Sequence, residues 1–263
     1  MNIKSALRGS VQNTIDELQF RFDVSPMLPY QPLPWIGLKR AKRGHGTIAR
    51  WKAIDASLNG HSIGSAADIG CSVGYFCMAL ALKGIPVLGI DMDARSLRIA
   101  QYASRKLGTR NAAFSNMLVS PATACLLPNA DLILLTSVWH HWVHNYGLEG
   151  AGQILSAVWN KCGKVLIFET GEGEMPAEFD LPPMEPSPKA WLENYLATIC
   201  PGSTIVHLGT FRAFAPGGDE KLHVAERNLF KVARLAAGSD GRQEQVRSTR
   251  RGETKVDTGK SAP

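Results

Sequence analysis

The five cysteines, Cys71, Cys77, Cys125, Cys162 and Cys200, form no Cys-x-x-Cys pair and are odd in number. That pattern argues against a disulfide framework or a structural zinc site and suits a reducing compartment. No apolar run approaches the roughly 20 residues that a membrane span needs. Lys4, Arg8, Asp16 and Glu17 interrupt any leader-like stretch at the start. A soluble, cytoplasmic protein with no membrane span is therefore expected, and no internal repeat is visible. An excess of charge of one sign is also small: 29 Lys and Arg against 23 Asp and Glu give a formal net charge of +6. Much of the basic excess gathers at Lys39, Arg40, Lys42, Arg43 and Arg50 and again at Arg247, Arg250 and Arg251. Such a cluster can draw in an acidic substrate or RNA, or simply solvate a surface.

What is present is an α/β rhythm. Residues 3–20 repeat Ile3, Leu7, Val11, Ile15 and Leu18 at helical spacing. Prolines 26, 29, 32 and 34 then predict an irregular extended segment, and Ile48, Trp51, Ile54 and Leu58 mark a second helix. From Ser65 onward strands are predicted at 66–69, 86–90, 111–115, 131–136 and 164–168, with helices at 75–82, 94–107 and 148–160 between them. The continuous apolar run Asp131–Thr136 is what a parallel strand buried on both faces requires. A Pro/Glu/Gly-rich loop over 171–188, a helix over 188–199 and two strands at 203–211 and 228–232 follow. Consecutive strands after a βα series predict an antiparallel hairpin at one sheet edge. Three regions are expected: an N-terminal helical and Pro-rich addition (1–60), a core domain (61–237), and a disordered polar tail (238–263).

The stretch Ala66–Asp91 carries the first chemical signal. It reads as strand, glycine turn, helix, and a second strand ending in an acid, which is the layout of a nucleotide half-site. A dinucleotide fingerprint from Gly70 would want glycine at 72 and 75, where Ser72 and Tyr75 stand. No Gly-Lys-Ser/Thr opens the following helix, so a Walker phosphate loop is excluded there too.

Asp68-Ile-Gly70-Cys-Ser72-Val-Gly74 resembles the acid-x-Gly-x-Gly-x-Gly signature of the class I S-adenosylmethionine-dependent methyltransferases, with Ser72 at the middle glycine. The resemblance covers about Ser65 to Val232 in element order. It implies a doubly wound, mostly parallel seven-stranded Rossmann-like sheet and S-adenosyl-L-methionine as cofactor. The chemistry agrees: Asp68 can accept from the cofactor's ammonium, Gly70 and Gly74 admit close backbone approach, and Asp91 can take both ribose hydroxyls. The resemblance further implies that Met92 flanks the adenine, Asn116 meets its amino group, and Ser137 lines the methionine end.

Thr136–Tyr146, TSVWHHWVHNY, follows the fourth predicted strand, where ligands meet the carboxyl edge of an open sheet. Small-molecule methyltransferases are similar in showing Ser-Val-x-His-His. Either His140 or His141 can act as general base, or the pair can cap the next helix. Three histidines without a suitably spaced carboxylate argue against a metal. Glu169 ends the fifth strand and is expected at the pocket rim, to orient a substrate group or cap the loop. Trp139, Trp142, Trp191 and Tyr195 can stack on a planar substrate or fill the core. The expected acceptor is a small molecule or glycan, O- or N-methylated, rather than DNA, since no Asn/Asp-Pro-Pro-Tyr/Phe motif follows the fourth strand. RNA and a non-catalytic nucleoside-binding role are the alternatives. Residues 171–188 and the N-terminal helices are expected to build the acceptor pocket.

Overall fold

The computed structural model describes residues 3–24, 30–39, 41, 44–214 and 224–235. The expected tail over 238–263, and Arg40, Lys42, Arg43, Arg247, Arg250 and Arg251 with it, lie outside the described residues. Helix α1 is Ile3–Val24 and α2 is Gly44–Ser57. The alternating part follows as β1 (Ala66–Ile69), α3 (Tyr75–Leu82), β2 (Val87–Asp91), α4 (Ala94–Leu107), β3 (Ala112–Asn116), β4 (Ala130–Thr136), α5 (Trp139–Lys161) and β5 (Cys162–Glu169). Helix α6 (Pro188–Ile199) and strands β6 (Ser203–Phe214) and β7 (Val224–Arg234) complete the described chain.

The strands form one seven-stranded sheet in the order β3-β2-β1-β4-β5-β7-β6. Pairings from β3 through β5 are parallel, and β7 runs antiparallel to both β5 and β6. This is the predicted doubly wound sheet with its antiparallel edge hairpin. The cause is visible in β4 and β5. Leu132, Ile133, Leu134 and Leu135 are buried on both faces, as are Val165, Leu166, Ile167 and Phe168, so helices must cover each side. One apolar layer packs α5 and α6 on the sheet through Trp139, Ile154, Leu155, Val158, Leu192 and Leu196. The opposite layer packs α2, α3 and α4 through Ile54, Phe76, Leu80, Leu97 and Ile99.

Local signals fix the helix ends. Asp93 accepts from the backbone N–H groups of Arg95 and Ser96 at the start of α4, and Gly108 closes it at φ 67°. Ser187 caps α6 with Pro188 in its first turn. Helix α5 is bent at Gly147, whose φ of 68° and ψ of 173° divide it. The predicted helix over 148–160 is the second part; the first part carries the histidines.

The N-terminal elements lie at opposite ends of the sheet. Helix α1 packs on α4, with Phe20 stacked on Tyr102 at 4.2 Å and Asp23 taking both Nε and Nη2 of Arg98. Ile15 and Leu18, expected on its packing face, point outward instead. The facing surface of α4 presents Arg98, Arg105 and Lys106, so the carboxylates of Asp16, Glu17 and Asp23 decide which side of α1 turns in. Helix α2 packs across β6 and β7, close enough that a Cβ at Gly46 would stand 2.1 Å from the carbonyl oxygen of Arg212.

Candidate active site

The parallel register brings the ends of β1, β2, β4 and β5 to one edge: Ile69 pairs with Ile90 and Leu135, and Thr136 with Glu169. Strand β7 runs the other way, so the residues at its start, Arg227 and Asn228, reach the same edge just beyond the Glu169–Leu229 pair. A cavity of about 770 Å³ lies along this edge.

The turn after β1 holds three consecutive alternate residues in the left-handed region: Gly70 at φ 73°, Ser72 at φ 51° and Gly74 at φ 81°. Gly70 and Ser72 line the cavity. A Cβ at Gly70 would sit 2.2 Å from Cγ2 of Val138, so glycine there also lets α5 approach β1. Gly74 has a different task from the one expected. It does not line the cavity but starts α3, where a Cβ would meet Ala100 at 3.0 Å and Phe114 at 3.2 Å.

Ser72, a non-glycine residue in a conformation that costs L-residues energy, earns a structural return through its backbone. Its N–H donates to Oδ2 of Asp91 at 2.7 Å, and Oδ1 of Asp91 accepts from the N–H of Asp93 at 2.9 Å. The carboxylate is thereby fixed on the cavity wall next to exposed Met92, which also lines it. Asn116 is placed one layer back. Its side-chain amide donates to the carbonyls of Asp91 at 3.0 Å and Met92 at 2.9 Å and does not line the cavity. The neighbours Met117 and Leu118, which sequence reasoning passed over, form the wall there.

Asp68 is buried beneath the turn. Oδ2 accepts from Sγ of Cys77 at 3.4 Å, while Oδ1 is buried without a hydrogen-bond partner among the described residues. Burial drives its pKa up to about 7, and the nearby Asp91 charge adds to that, against the lowering by the Cys77 thiol and Arg50. Asp68 does not line the cavity, and its unsatisfied oxygen is buried.

Past β4, Ser137 adopts φ 61° and lines the cavity; its hydroxyl donates to Oε1 of Glu169 at 2.9 Å. Glu169 itself is not at the rim. It is fully buried and its Oε2 accepts from Nη1 of Arg50 at 2.5 Å. Arg50, read with the basic cluster, is 1% exposed and so takes no part in a solvated cationic surface. The physical reason is mutual: a buried carboxylate at the sheet edge is retained only with a charged partner.

His140 and His141 open α5 with ring centroids 4.3 Å apart, and both line the cavity. The N–H of Gly171 donates to Nδ1 of His140 at 2.9 Å. A backbone N–H can only donate, so the neutral ring carries its proton on Nε2 and has no lone pair left to act as a base. This corrects the expectation for His140. His141 keeps that capacity. Although the residue as a whole is exposed, desolvation on the ring's inner side lowers its pKa below the ordinary histidine value, with the charges of Arg227 and His144 adding to the effect. Phe179, in a single 3-10 turn at Ala177–Phe179, stands 5.6, 5.5 and 5.0 Å from the rings of His140, His141 and His144. Met175, Pro176, Glu178 and Phe179 from the 171–188 loop thus wall the cavity, and Tyr30 adds one residue from the N-terminal side.

Trp139, Trp191 and Tyr195 belong to the core: Trp191 and Tyr195 stack at 4.9 Å, and Nε1 of Trp139 donates to the Tyr195 hydroxyl at 3.2 Å. Trp142, also buried, contributes an edge to the cavity. Among the described residues no group of His, Cys, Asp and Glu is arranged to hold a metal ion, and no helix is long and apolar enough to cross a membrane. Arg227 on the wall had no sequence signal beyond its charge.

Comparison with known proteins agrees with this geometry. Residues 67–166 match the family model described as a methyltransferase domain. Over 90 residues the chain is 30% identical to the O-antigen chain terminator bifunctional methyltransferase/kinase WbdD of Escherichia coli, covering 34% of this chain and 13% of that protein. The chain therefore spans only a small part of the curated relative it matches. A solved structure of the bifunctional kinase-methyltransferase WbdD superposes with a TM-score of 0.61 at 21% identity, over 81% of this chain and 45% of that one. Magnesium protoporphyrin IX methyltransferase (ChlM) from Synechocystis PCC 6803, solved with bound SAH, gives 0.53 at 16% identity over 89% and 100% of the two chains. These superpositions establish the fold. Residues 67–166 thus match a methyltransferase domain in sequence and carry the glycine turn at the sheet edge.

Proposed function

We propose that the chain transfers a methyl group from S-adenosylmethionine to a small-molecule or glycan acceptor, by O- or N-methylation. The observation that carries this reading is the extent of the cavity. It begins at Asp91 and Met92 above β2, passes Gly70 and Ser72 at β1, and continues beyond His141 to Arg227 on β7. The first half suits the cofactor; the second is left for an acceptor. About 770 Å³ lies toward the upper end of the usual range for ligand pockets, roughly 300–1,000 Å³. A walled pocket of that kind favours a compact acceptor over a nucleic-acid strand, and the E. coli relative's name refers to an O-antigen chain.

The residues present fit the cofactor. Asp91 would take the ribose hydroxyls with the lone pairs that Ser72 and Asp93 leave available. Met92 would flank the adenine, Gly70 would admit backbone approach, and Ser137 would line the methionine end. The unpartnered Oδ1 of Asp68 would answer the ammonium, directly or through water. Asn116 would act by holding the Asp91–Met92 backbone in place. When bound, the cofactor supplies an activated sulfonium methyl, so the protein contributes mainly alignment and exclusion of water. Where the accepting atom carries a proton, His141 would remove it; its lowered pKa keeps the ring neutral and ready at pH 7.

Methyl transfer from cofactor labelled in the methyl group, measured across pH, tests this. His141→Gln should lower kcat by about 100-fold or more and abolish the rise of kcat on the acidic side, while His140→Gln should retain that rise. Unchanged kcat in His141→Gln at every pH would remove the base assignment.

A further inference from the structure

We infer that the acceptor half of the cavity is an oxyanion site: the acceptor carries a carboxylate or phosphate monoester that docks on Arg227, beside the atom to be methylated. This rests on the methyl-transfer reading above. Arg227 is 2% exposed yet contributes to the cavity wall. Its five N–H groups are poorly used. Nε donates to Oε1 of Glu174 at 2.5 Å, and Nη2 meets only the thioether sulfur of Met175 at 3.3 Å. Among the described residues Nη1 is buried with no hydrogen-bond partner, and it forms an ion pair with Oε1 of Glu169 at 3.6 Å. That oxygen already accepts from Ser137, and the other oxygen of Glu169 is held by Arg50. A guanidinium is a planar fork matched to a two-oxygen anion, and a thioether is a weak substitute for one.

Met175 is built to be displaced. It is unbranched, it lines the cavity, and it reaches Arg227 only because Gly171 has no Cβ, which would stand 2.4 Å from Cγ of Met175. Leaving an arginine N–H fork buried and unsatisfied costs free energy, and an arriving oxyanion that pushes Met175 aside recovers it. The position also separates this anion from the cofactor's own carboxylate. Strand β7 lies beyond β4 and β5 from β1, so about 14 Å of sheet, at roughly 4.8 Å per strand, divides Arg227 from the glycine turn. His141, whose pKa feels the Arg227 charge, lines the same cavity. An anchored anion on one side and the cofactor on the other would hold the accepting hydroxyl or amine at His141.

The test is calorimetry on the full chain loaded with S-adenosylhomocysteine, titrated with glucose 6-phosphate, glucuronate and glucose. The phosphate and carboxylate arms distinguish the two sources of an oxyanion. At least one of the two anions should bind 10-fold or more tightly than glucose, and Arg227→Met should abolish that preference while leaving S-adenosylhomocysteine affinity within threefold. Glu174→Gln removes the competing carboxylate and keeps the cation, so anion affinity should hold or rise. Equal binding of anions and glucose, a preference that survives Arg227→Met, or a fall in anion affinity in Glu174→Gln would each overturn the proposal. A tenfold loss of S-adenosylhomocysteine affinity in Arg227→Met would assign Arg227 to the cofactor instead. Failure of the unaltered protein to bind S-adenosylhomocysteine would count against the methyl-transfer reading itself, and with it this site.

Discussion

Arg50→Met should be among the most destabilising single changes in this chain. Arg50 comes from α2 and Glu169 from the end of β5, and their side chains are 1% and 0% exposed. Removing the cation leaves a buried carboxylate held by the Ser137 hydroxyl and by Arg227 at 3.6 Å. Breaking such a pair from one side costs about 3–5 kcal/mol, because the remaining charge keeps its desolvation penalty while losing its 2.5 Å ion-pair partner. Against a total stability of about 5–15 kcal/mol, that is a large fraction. With a urea m-value of about 2–3 kcal/mol/M, the unfolding midpoint should fall by about 1–2.5 M. Replacing both partners, Arg50→Met with Glu169→Leu, removes both buried charges, so the double variant should be more stable than Arg50→Met alone. Urea unfolding followed by circular dichroism reads Arg50→Met, Glu169→Leu and the double variant. A midpoint shift under about 0.3 M for Arg50→Met, or a double-variant loss equal to the sum of the singles, would refute the argument that the pair acts as one buried unit.

Further predictions concern the cofactor half of the cavity. Gly70→Ala combines a φ of 73° with a Cβ 2.2 Å from Val138, so it should weaken S-adenosylhomocysteine binding by tenfold or more and lower the melting temperature. Asn116→Ala should raise the cofactor KM several-fold with kcat little changed, since it loses two hydrogen bonds to the Asp91–Met92 backbone and touches no reacting atom. The Asp68 pKa is raised from 3.8 to about 7 in the fold, so between those pH values the folded state binds more protons than the unfolded one. Stability of the cofactor-free protein should therefore fall as pH rises from about 4 to about 7 and level off above. Asp68→Asn should flatten that part of the curve, apart from a parallel contribution by Glu172, also raised to about 7 chiefly by burial. A pH-stability curve unchanged by Asp68→Asn would contradict the assignment.

The features legible in the sequence were those written locally. The buried strands β4 and β5 appear as unbroken apolar runs, and the turn after β1 as alternate small residues with acids on either side. What stayed hidden depends on partners far along the chain. Nothing near Arg50 says that it meets Glu169, 119 residues away, so its charge read as part of a surface cluster. Arg227 is the fourth residue of β7, ahead of the run at 228–232 that marked the strand, and its poor hydrogen bonding emerges only from Glu174 and Met175 across the sheet edge. Gly74 and Asn116 occupy motif positions but face the neighbouring backbone and side chains, a distinction of direction that spacing along a chain does not carry. The roles of His140 and His141 parted for the same reason: the backbone of Gly171 decides the tautomer of one of two adjacent residues.

The central claim is that this cavity holds S-adenosylmethionine with Asp91 on its ribose, and calorimetric titration of S-adenosylhomocysteine into the unaltered protein and Asp91→Ala tests it most directly. Losing a charge-assisted pair of hydrogen bonds, each worth about 1.5–3 kcal/mol, predicts saturable 1:1 binding to the unaltered protein and affinity at least tenfold weaker in the variant. No binding to the unaltered protein, or equal affinity in both, would contradict the account.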